Sequence, residues 1–293
     1  MAQPVPCDII SVRNTLGEGI LWDARRRALW WTDIAARRLH RLDWGEEAPA
    51  LYETPERLGS FGLVRNSDRL IAAFATGIAM YDPPAQHMQW LARPAEISEG
   101  IRFNDGRVDR GGRFWAGTMV EDGRTQNDGR LYCVDAAGQV HCRREDIRIS
   151  NGLCTSPDGK RLYFADSPTR TIFEFELLEP DGILGASRVF ARTAEGASPD
   201  GATVDADGCI WSAHWGAGCV VRYTPDGRVD RTLSVPTRQP SCVCFAGPAL
   251  DVLCVTSARQ GIEPQILQRE PHAGDVFCYR VNTQGLAEEE YRT

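Results

Sequence analysis

The sequence predicts an all-β protein with the fold of a six-bladed β-propeller, and three observations support that prediction. A hexapeptide pattern of apolar, β-branched and aromatic residues recurs six times along nearly the whole chain. The third residues of successive hexapeptides are 41, 44, 48, 48 and 42 residues apart, which is the spacing of propeller blades. No segment of useful length shows the periodicity of an amphipathic helix.

Each repeat unit has the composition of several short strands joined by turns. Turn sequences such as DRGG (109–112) precede several hexapeptides, and another strand-like run such as GIAMYD (77–82) follows each one. Each unit therefore predicts a blade of four strands. The alternative is a β-sandwich whose strands resemble one another by chance. The hexapeptides are ALWWTD (28–33), RLIAAF (69–74), RFWAGT (113–118), RLYFAD (161–166), CIWSAH (209–214) and DVLCVT (251–256).

Closure of the ring requires a strand from one end of the chain, because a propeller leaves no long sheet edge exposed. The segment CDIISVRN (7–14) is the natural candidate to complete the blade that holds the C-terminal strands. We therefore expect residues 1–293 to form a single propeller domain in which the two ends of the chain meet.

Composition and charge exclude several classes of function. The net charge is −7 and the pI about 5.4, with no basic stripe for the phosphates of a nucleic acid. No stretch approaches the roughly 20 apolar residues of a membrane span, and the N-terminus lacks the pattern of a signal peptide. The ten cysteines show no zinc-finger spacing and are expected to be mostly buried thiols. We expect a cytoplasmic protein, either a monomer or a weak homo-oligomer.

Four blades carry a carboxylate or an amide at one position of the repeat. Glu18 and Asn151 lie 12 residues before the third residue of their hexapeptides, and Asn104 and Asp200 lie 11 residues before theirs. A glycine follows each of them directly or after one residue. We expect each to precede the first strand of its blade, which lines the central channel, so that together they form a ring around one channel mouth.

This ring can be interpreted in two ways. Asx-Gly pairs commonly make turns, which explains the glycines, but Glu18 is a poor turn residue. Two carboxylates and two amides that converge on one axis repel one another unless a cation lies among them. Oxygen ligands without histidine suit a divalent ion such as calcium, magnesium or manganese, with zinc or ferrous iron as further candidates.

The chain resembles the family of senescence marker protein (regucalcin), gluconolactonase and the bacterial sugar-acid lactonases. The resemblance covers essentially the whole sequence, and its motifs occur in order and in register. They are LGEGILWD (16–23), IRFNDGRVDRGGRFWAGTM (101–119), ISNGLCTSPDGKRLYFADS (149–167), SPDGATVDADGCIWSAHWG (198–216) and TSAR (256–259).

The resemblance implies a six-bladed propeller with one divalent metal ion and a sugar lactone as its small-molecule substrate. The implied metal ligands are Glu18, Asn151 and Asp200, and the implied substrate-binding residues are Arg102, Asn104 and Glu121. The implied activity is hydrolysis of aldonolactones such as glucono-, xylono-, arabino- or galactonolactone.

Hydrolysis of a lactone needs a base for the attacking water, and Asp200 is the candidate. Arg102, Asn104 and Glu121 would then hold the sugar hydroxyls, although Arg102 could instead pair with a nearby aspartate and Glu121 could be a solvated loop residue. No GxSxG motif indicates a serine nucleophile, and His214 is expected to have a structural role. Two other functions remain open, a propeller esterase or phosphotriesterase and a regucalcin-like calcium-binding protein without enzymatic activity.

Overall fold

The predicted six-bladed β-propeller is confirmed by a computed structural model, which describes residues 5–97, 99–121, 123 and 126–293. Six four-stranded antiparallel sheets form in these residues, and the first strands of successive blades contact one another in a closed ring. The predicted hexapeptides supply the second strand of each blade. Among the residues that the structure describes, no helix is both long and apolar enough to cross a lipid bilayer.

Blades 1 to 3 each consist of four strands consecutive in the chain. Blade 1 consists of β2 (Gly17–Asp23), β3 (Ala28–Asp33), β4 (Arg38–Asp43) and β5 (Ala50–Glu53). Blade 2 consists of β6 (Leu58–Leu63), β7 (Leu70–Phe74), β8 (Gly77–Asp82) and β9 (His87–Ala92). Blade 3 consists of β10 (Ile101–Val108), β11 (Phe114–Val120), β12 (Gly129–Val134) and β13 (Val140–Ile147).

Blades 4 and 5 follow the same order, and blade 6 takes its outermost strand from the N-terminal segment. Blade 4 consists of β14 (Ser150–Thr155), β15 (Arg161–Asp166), β16 (Thr171–Leu178) and β17 (Ile183–Arg192). Blade 5 consists of β18 (Ser198–Val204), β19 (Ile210–Trp215), β20 (Cys219–Tyr223) and β21 (Val229–Ser234). Blade 6 consists of β22 (Pro240–Ala246), β23 (Val252–Ser257), β24 (Val276–Arg280) and β1 (Asp8–Ile10). A 3₁₀ turn (Ser167–Thr169) and the short helix α1 (Pro264–Leu267) lie between strands.

The N-terminal strand β1 pairs antiparallel with β24, in the position expected from the sequence. The expectation that the two ends of the chain meet is wrong, because the last residues of the chain run from blade 6 to blades 2 and 3. Tyr291 forms a parallel bridge to Val64 of blade 2, and its hydroxyl donates to the carbonyl oxygen of Asp135 in blade 3. Residues 283–293, here called the C-terminal tail, therefore contact blades 2 and 3, which are distant from the tail in sequence.

The core lies between neighbouring blades, where apolar faces of adjacent sheets pack together. Trp22 and Trp31 of blade 1, for example, are almost fully buried against Cys242 and Cys254 of blade 6. Removing an aromatic side chain from such a site typically costs about 3–5 kcal/mol. Seven of the ten cysteines are buried, and none is in a disulfide among the described residues.

Aspartates close several turns that join the first and second strands. Asp109 accepts hydrogen bonds from the backbone N–H of Arg113 and from the indole of Trp115, and Asp205 accepts in the same way from Trp211. These bonds satisfy buried donors at the end of the blade opposite the predicted ring. The turn sequences thus fix where each second strand begins.

Candidate metal and substrate site

The pairing between the first two strands of each blade is interrupted near the start of the first strand. Such β-bulges re-aim side chains and are frequent beside active sites. The four ring residues lie within or at the edge of these bulges, inside their strands rather than before them as the sequence predicted. The register shifts that concern them fall between Glu18 and Leu21, Phe103 and Gly106, Asn151 and Cys154, and Pro199 and Ala202.

Glycine makes two of these bulges possible. Gly19 and Gly152 have φ angles of +58° and +64°, in the left-handed region that other residues adopt only with strain. The glycines that follow Glu18 and Asn151 are therefore required by the backbone, but they serve bulges within the strands, whereas the sequence interpretation placed turns before them. The turn interpretation does not account for the polar residues that precede these glycines.

Hydrogen bonds join the two ring amides and extend towards blade 5. Asn104 Nδ2 donates to Asn151 Oδ1 at 3.1 Å and to the carbonyl oxygen of Ser150 at 2.9 Å. Asn151 Nδ2 donates to Ser167 Oγ at 2.8 Å, and the Ser167 hydroxyl donates to the carbonyl oxygen of Pro199 at 2.7 Å. These bonds leave Asn151 Oδ1 with one lone pair for a further partner. They also fix the backbone immediately before Asp200.

Glu18 and Asp200 are two buried carboxylates without a cationic partner. Their exposed fractions are 8% and 6%, and neither accepts a hydrogen bond from any side chain that the structure describes. Burial raises the pKa of Asp200 far above its usual range, and the charge on Glu18 raises it further. Burial likewise raises the pKa of Glu18, with a contribution from Asp105. The fold therefore gathers acidic groups here without an ion-pair partner in the described chain, although the charge of Arg102 offsets part of the rise in both pKa values.

This donor set fits a hard divalent ion. Two carboxylates and the oxygen of Asn151 are the ligand types that such ions take in proteins, and a cation among them would offset the repulsion that raises both pKa values. In the described part of the chain, no three His, Cys, Asp or Glu side chains are grouped as a metal site. Any ion held by Glu18 and Asp200 would therefore also need an amide or backbone oxygen.

Arg102 and Glu121 form an ion pair at the edge of the ring. Arg102 Nε donates to Glu121 Oε1 at 2.8 Å, and Arg102 Nη1 donates to Asn104 Oδ1 at 2.7 Å. The alternative partner for Arg102, an aspartate, is therefore wrong. Glu121 is an exposed residue, but its carboxylate is also held by Arg57 and its side chain is only 30% accessible, so it is not a freely solvated loop residue.

Asp105 is a further buried carboxylate, which the sequence analysis did not select. It accepts a hydrogen bond from the backbone N–H of Leu153 at 2.9 Å, which ties blade 3 to the bulge that carries Asn151. Burial raises the pKa of Asp105, although Arg107 partly offsets this effect. Asp105 follows Asn104 directly, and nothing in the repeat distinguished it from an ordinary turn aspartate.

His214 and Cys242 border the ring without a hydrogen bond to it. His214 lies on the second strand of its blade, opposite Pro199, with Nε2 3.2 Å from the Tyr223 hydroxyl. Burial lowers the pKa of His214 to about 4, so its imidazole group is neutral at physiological pH. Burial raises the pKa of the Cys242 thiol well above its usual value, which makes it a poor nucleophile.

The opposite end of the channel is closed by the C-terminal tail. Arg107, at the far end of β10, pairs with Glu288 of the tail and donates to the carbonyl oxygens of Ala202 and Val243. A cavity beside this pair, lined by Gly19, Asp105 and Cys242 among others, has a volume of about 10 Å³, enough for no more than about one water molecule. The more exposed members of the site are Arg57 and Glu121, and their side is here called the entrance of the site.

Comparison with known proteins identifies relatives along the whole chain. A family model described as the SMP-30/Gluconolactonase/LRE-like region matches residues 16–259. A 6-deoxy-6-sulfogluconolactonase from Pseudomonas putida is 40% identical over 98% of both chains. An L-arabinolactonase from Azospirillum brasilense is 38% identical over 95% of this chain and 93% of its own. The crystal structure of a calcium-binding protein, regucalcin, from Agrobacterium tumefaciens superimposes with a TM-score of 0.92 at 30% identity, with both chains fully covered.

Proposed function

The chain belongs to the SMP-30/gluconolactonase/LRE-like family, and from this premise we propose that it is a lactonase that hydrolyses sugar lactones at a divalent metal ion. The observation that carries the proposal is the pair of buried carboxyl groups of Glu18 and Asp200, which have no ion-pair partner among the described residues and lie near Asn151. The two relatives named as sugar lactonases support the choice of substrate class.

Different residues of the chain would hold the metal ion and transfer the proton during hydrolysis. Glu18, Asn151 and Asp200 would hold the ion, which when bound polarises a carbonyl group and lowers the pKa of water. Asp200 takes a proton as a water oxygen attacks the lactone carbonyl carbon. The bond between that carbon and the ring oxygen then breaks, and the proton passes to the departing oxygen, which leaves an open sugar acid.

Arg102 and Asn104 would bind and orient the substrate. Arg102 is buried with Nη2 free of hydrogen bonds to any described residue, so this nitrogen can donate to a substrate oxygen. Asn104 is held by Arg102 and by Asn151, so the substrate-binding residues and the metal ligands are positioned by the same hydrogen bonds. Such pre-organisation lowers the entropic cost of reaching the reactive geometry.

The experiment that tests this proposal is a pH-stat assay of chelator-treated protein. The panel contains glucono-, xylono-, arabino- and galactonolactones, and calcium, zinc, manganese, magnesium and ferrous ions are added back in turn. We expect no turnover after chelation and recovery with at least one ion. Full activity in the presence of chelator would contradict the role of the metal, and hydrolysis of an aryl ester or a phosphotriester in place of lactones would favour the esterase function.

A calcium-binding function without turnover is the second candidate, favoured by the similarity to the structure named as a calcium-binding regucalcin. Such a function requires the carboxylates but not the ordered pair of Arg102 and Asn104. Calcium binding measured by calorimetry, together with no hydrolysis of any five- or six-carbon lactone, would support this second function instead.

A further inference from the structure

Arg57 lies at the entrance of the site, although nothing in the repeat pattern pointed to it. It comes directly before β6 of blade 2, and its carbonyl oxygen accepts the backbone N–H of Ala75 at 2.8 Å. Its guanidinium group reaches blade 3 and donates from Nη1 and Nη2 to the two carboxylate oxygens of Glu121, both at 2.9 Å. The side chain is nevertheless 40% exposed.

This bidentate pair leaves the Arg57 guanidinium with unused donors. A guanidinium group has five N–H bonds, and in the described chain Arg57 uses only the two that meet Glu121. Arg102, on the other side of the same carboxylate, also keeps its Nη2 without a hydrogen-bond partner among the described residues. Both oxygens of Glu121 are meanwhile occupied, so its capacity to accept bonds from sugar hydroxyls is reduced.

The charge at this entrance is positive. Two guanidinium groups share the Glu121 carboxylate, and the inner one, Arg102, also faces the buried carboxyl group of Glu18, so the outer guanidinium of Arg57 supplies the positive charge at the entrance. The neighbouring Arg93 is 3.9 Å from Glu56, so this second pair adds no net charge to the entrance. A fixed guanidinium group with free donors is well suited to the oxygen atoms of a carboxylate, phosphate or sulfonate group.

We propose that Arg57 is a specificity-determining residue that selects lactones with an anionic substituent, such as a sulfonate or a carboxylate at the end of the sugar remote from the lactone carbonyl. The inference rests on the proposed lactonase function and narrows its substrate class. Arg57 binds this substituent through its free N–H groups, while Glu121 holds the guanidinium in place.

The test compares the KM values of neutral and anionic lactones in Arg57→Gln and in a control variant, Arg93→Gln. The control also removes one arginine charge near the entrance of the site. The substrates are gluconolactone, 6-deoxy-6-sulfogluconolactone and glucarolactone. We expect Arg57→Gln to raise KM about tenfold or more for the two anionic lactones, with kcat nearly unchanged, and less than threefold for gluconolactone. Arg93→Gln should leave all three KM values within about twofold, and Arg57→Lys should recover part of the loss.

Equal effects of Arg57→Gln on neutral and anionic lactones would overturn the inference, because Arg57 would then act only by positioning Glu121 and Arg102. Wild-type protein that hydrolyses neutral lactones and shows no preference for anionic ones would also overturn it, while leaving the proposed function intact. If no lactone is hydrolysed, the proposed function fails, and calorimetry with gluconate and 6-deoxy-6-sulfogluconate still decides the role of Arg57. Tighter binding of the sulfonated acid that is lost in Arg57→Gln supports that role, and equal affinities contradict it.

Discussion

Asn104 donates a hydrogen bond from Nδ2 to Oδ1 of Asn151 across 3.1 Å and thereby joins the first strands of blades 3 and 4 inside the candidate site. One of these amides is assigned to the substrate and the other to the metal ion. The bond means that neither residue can move without disturbing the other. Changes at Asn104 should therefore affect both binding functions.

Asn104→Asp replaces the donor with a second acceptor that faces Asn151 Oδ1 and the Ser150 carbonyl oxygen. We expect kcat/KM for the best lactone to fall about 100-fold, and about tenfold or more in Asn104→Ala, where the donor is lost without repulsion. Steady-state kinetics with a saturating divalent ion measures both values. Activity of Asn104→Asp within threefold of wild type would show that the bond has no role in turnover.

Glu18→Gln removes one of the two buried titratable carboxyl groups and retains the shape of the side chain. Without divalent ions, we expect the Tm to stay the same or to rise by a few degrees, because the repulsion with Asp200 is relieved. Addition of the activating ion should raise the Tm of the wild type but not of the variant. Thermal unfolding with chelator and with ion measures both effects, and an equal ion-dependent rise in the two proteins would remove Glu18 from the ligand set.

Glu288→Gln tests whether the C-terminal tail stabilises the channel. Glu288 pairs with the guanidinium of Arg107, each side chain being only 13% exposed, and loss of one partner from a largely desolvated ion pair typically costs about 3 kcal/mol or more. Glu289→Gln is the matched control, since its more exposed pair with Arg110 should contribute at most about 1 kcal/mol. Urea unfolding at neutral pH measures the free energy of unfolding of both variants. Similar losses of unfolding free energy in Glu288→Gln and Glu289→Gln would contradict a special role for the pair of Arg107 and Glu288.

His40 should make the protein sensitive to acid. Its ring stacks on Trp31 with centroids 4.9 Å apart, neither nitrogen has a hydrogen-bond partner in the described chain, and burial lowers its pKa to about 4. Between about pH 6.5 and 4 the unfolded chain binds a proton that the folded protein excludes, so stability falls as the pH decreases through this window. Above pH 6.5 both states are neutral at this position and the effect disappears.

The variant His40→Phe keeps the stacking and removes the titrating group. We expect the loss of unfolding free energy between pH 6.5 and 4 to be smaller by about 1–3 kcal/mol than in wild type, with a residual slope from His214. Unfolding by urea at several pH values measures this difference. His87→Gln, at an exposed position, is the control. An unchanged acid slope in His40→Phe would show that His40 is not the group responsible.

The fold could be predicted because each blade repeats the same pattern of buried apolar residues and turns. The hexapeptides recur at one spacing, and every one of them became the second strand of a blade. The ring residues were found for the same reason, since a fixed offset from the hexapeptide corresponds to a fixed place in the blade. Their position within the strand was not predicted, because a bulge is set by backbone conformation that the residue pattern does not reveal.

The residues that the sequence did not reveal are those that lie outside this regularity. Arg57 lies in the loop directly before β6, at a position that the repeat pattern did not select, and Ser167 follows its strand in a 3₁₀ turn. Glu288 lies about 180 residues from Arg107 in the sequence, so only the path of the tail brings them together. Long-range pairs of this kind require the folded structure, since neither partner carries a local signal.

The most direct test of the central claim, that Asp200 is both a metal ligand and the base for hydrolysis, is the turnover of aldonolactones by Asp200→Ala. With wild type and variant assayed at equal concentration and saturating divalent ion, we expect kcat of the variant to fall to background and its ion-dependent rise in Tm to disappear. Turnover by a folded Asp200→Ala protein at the wild-type rate would contradict the account.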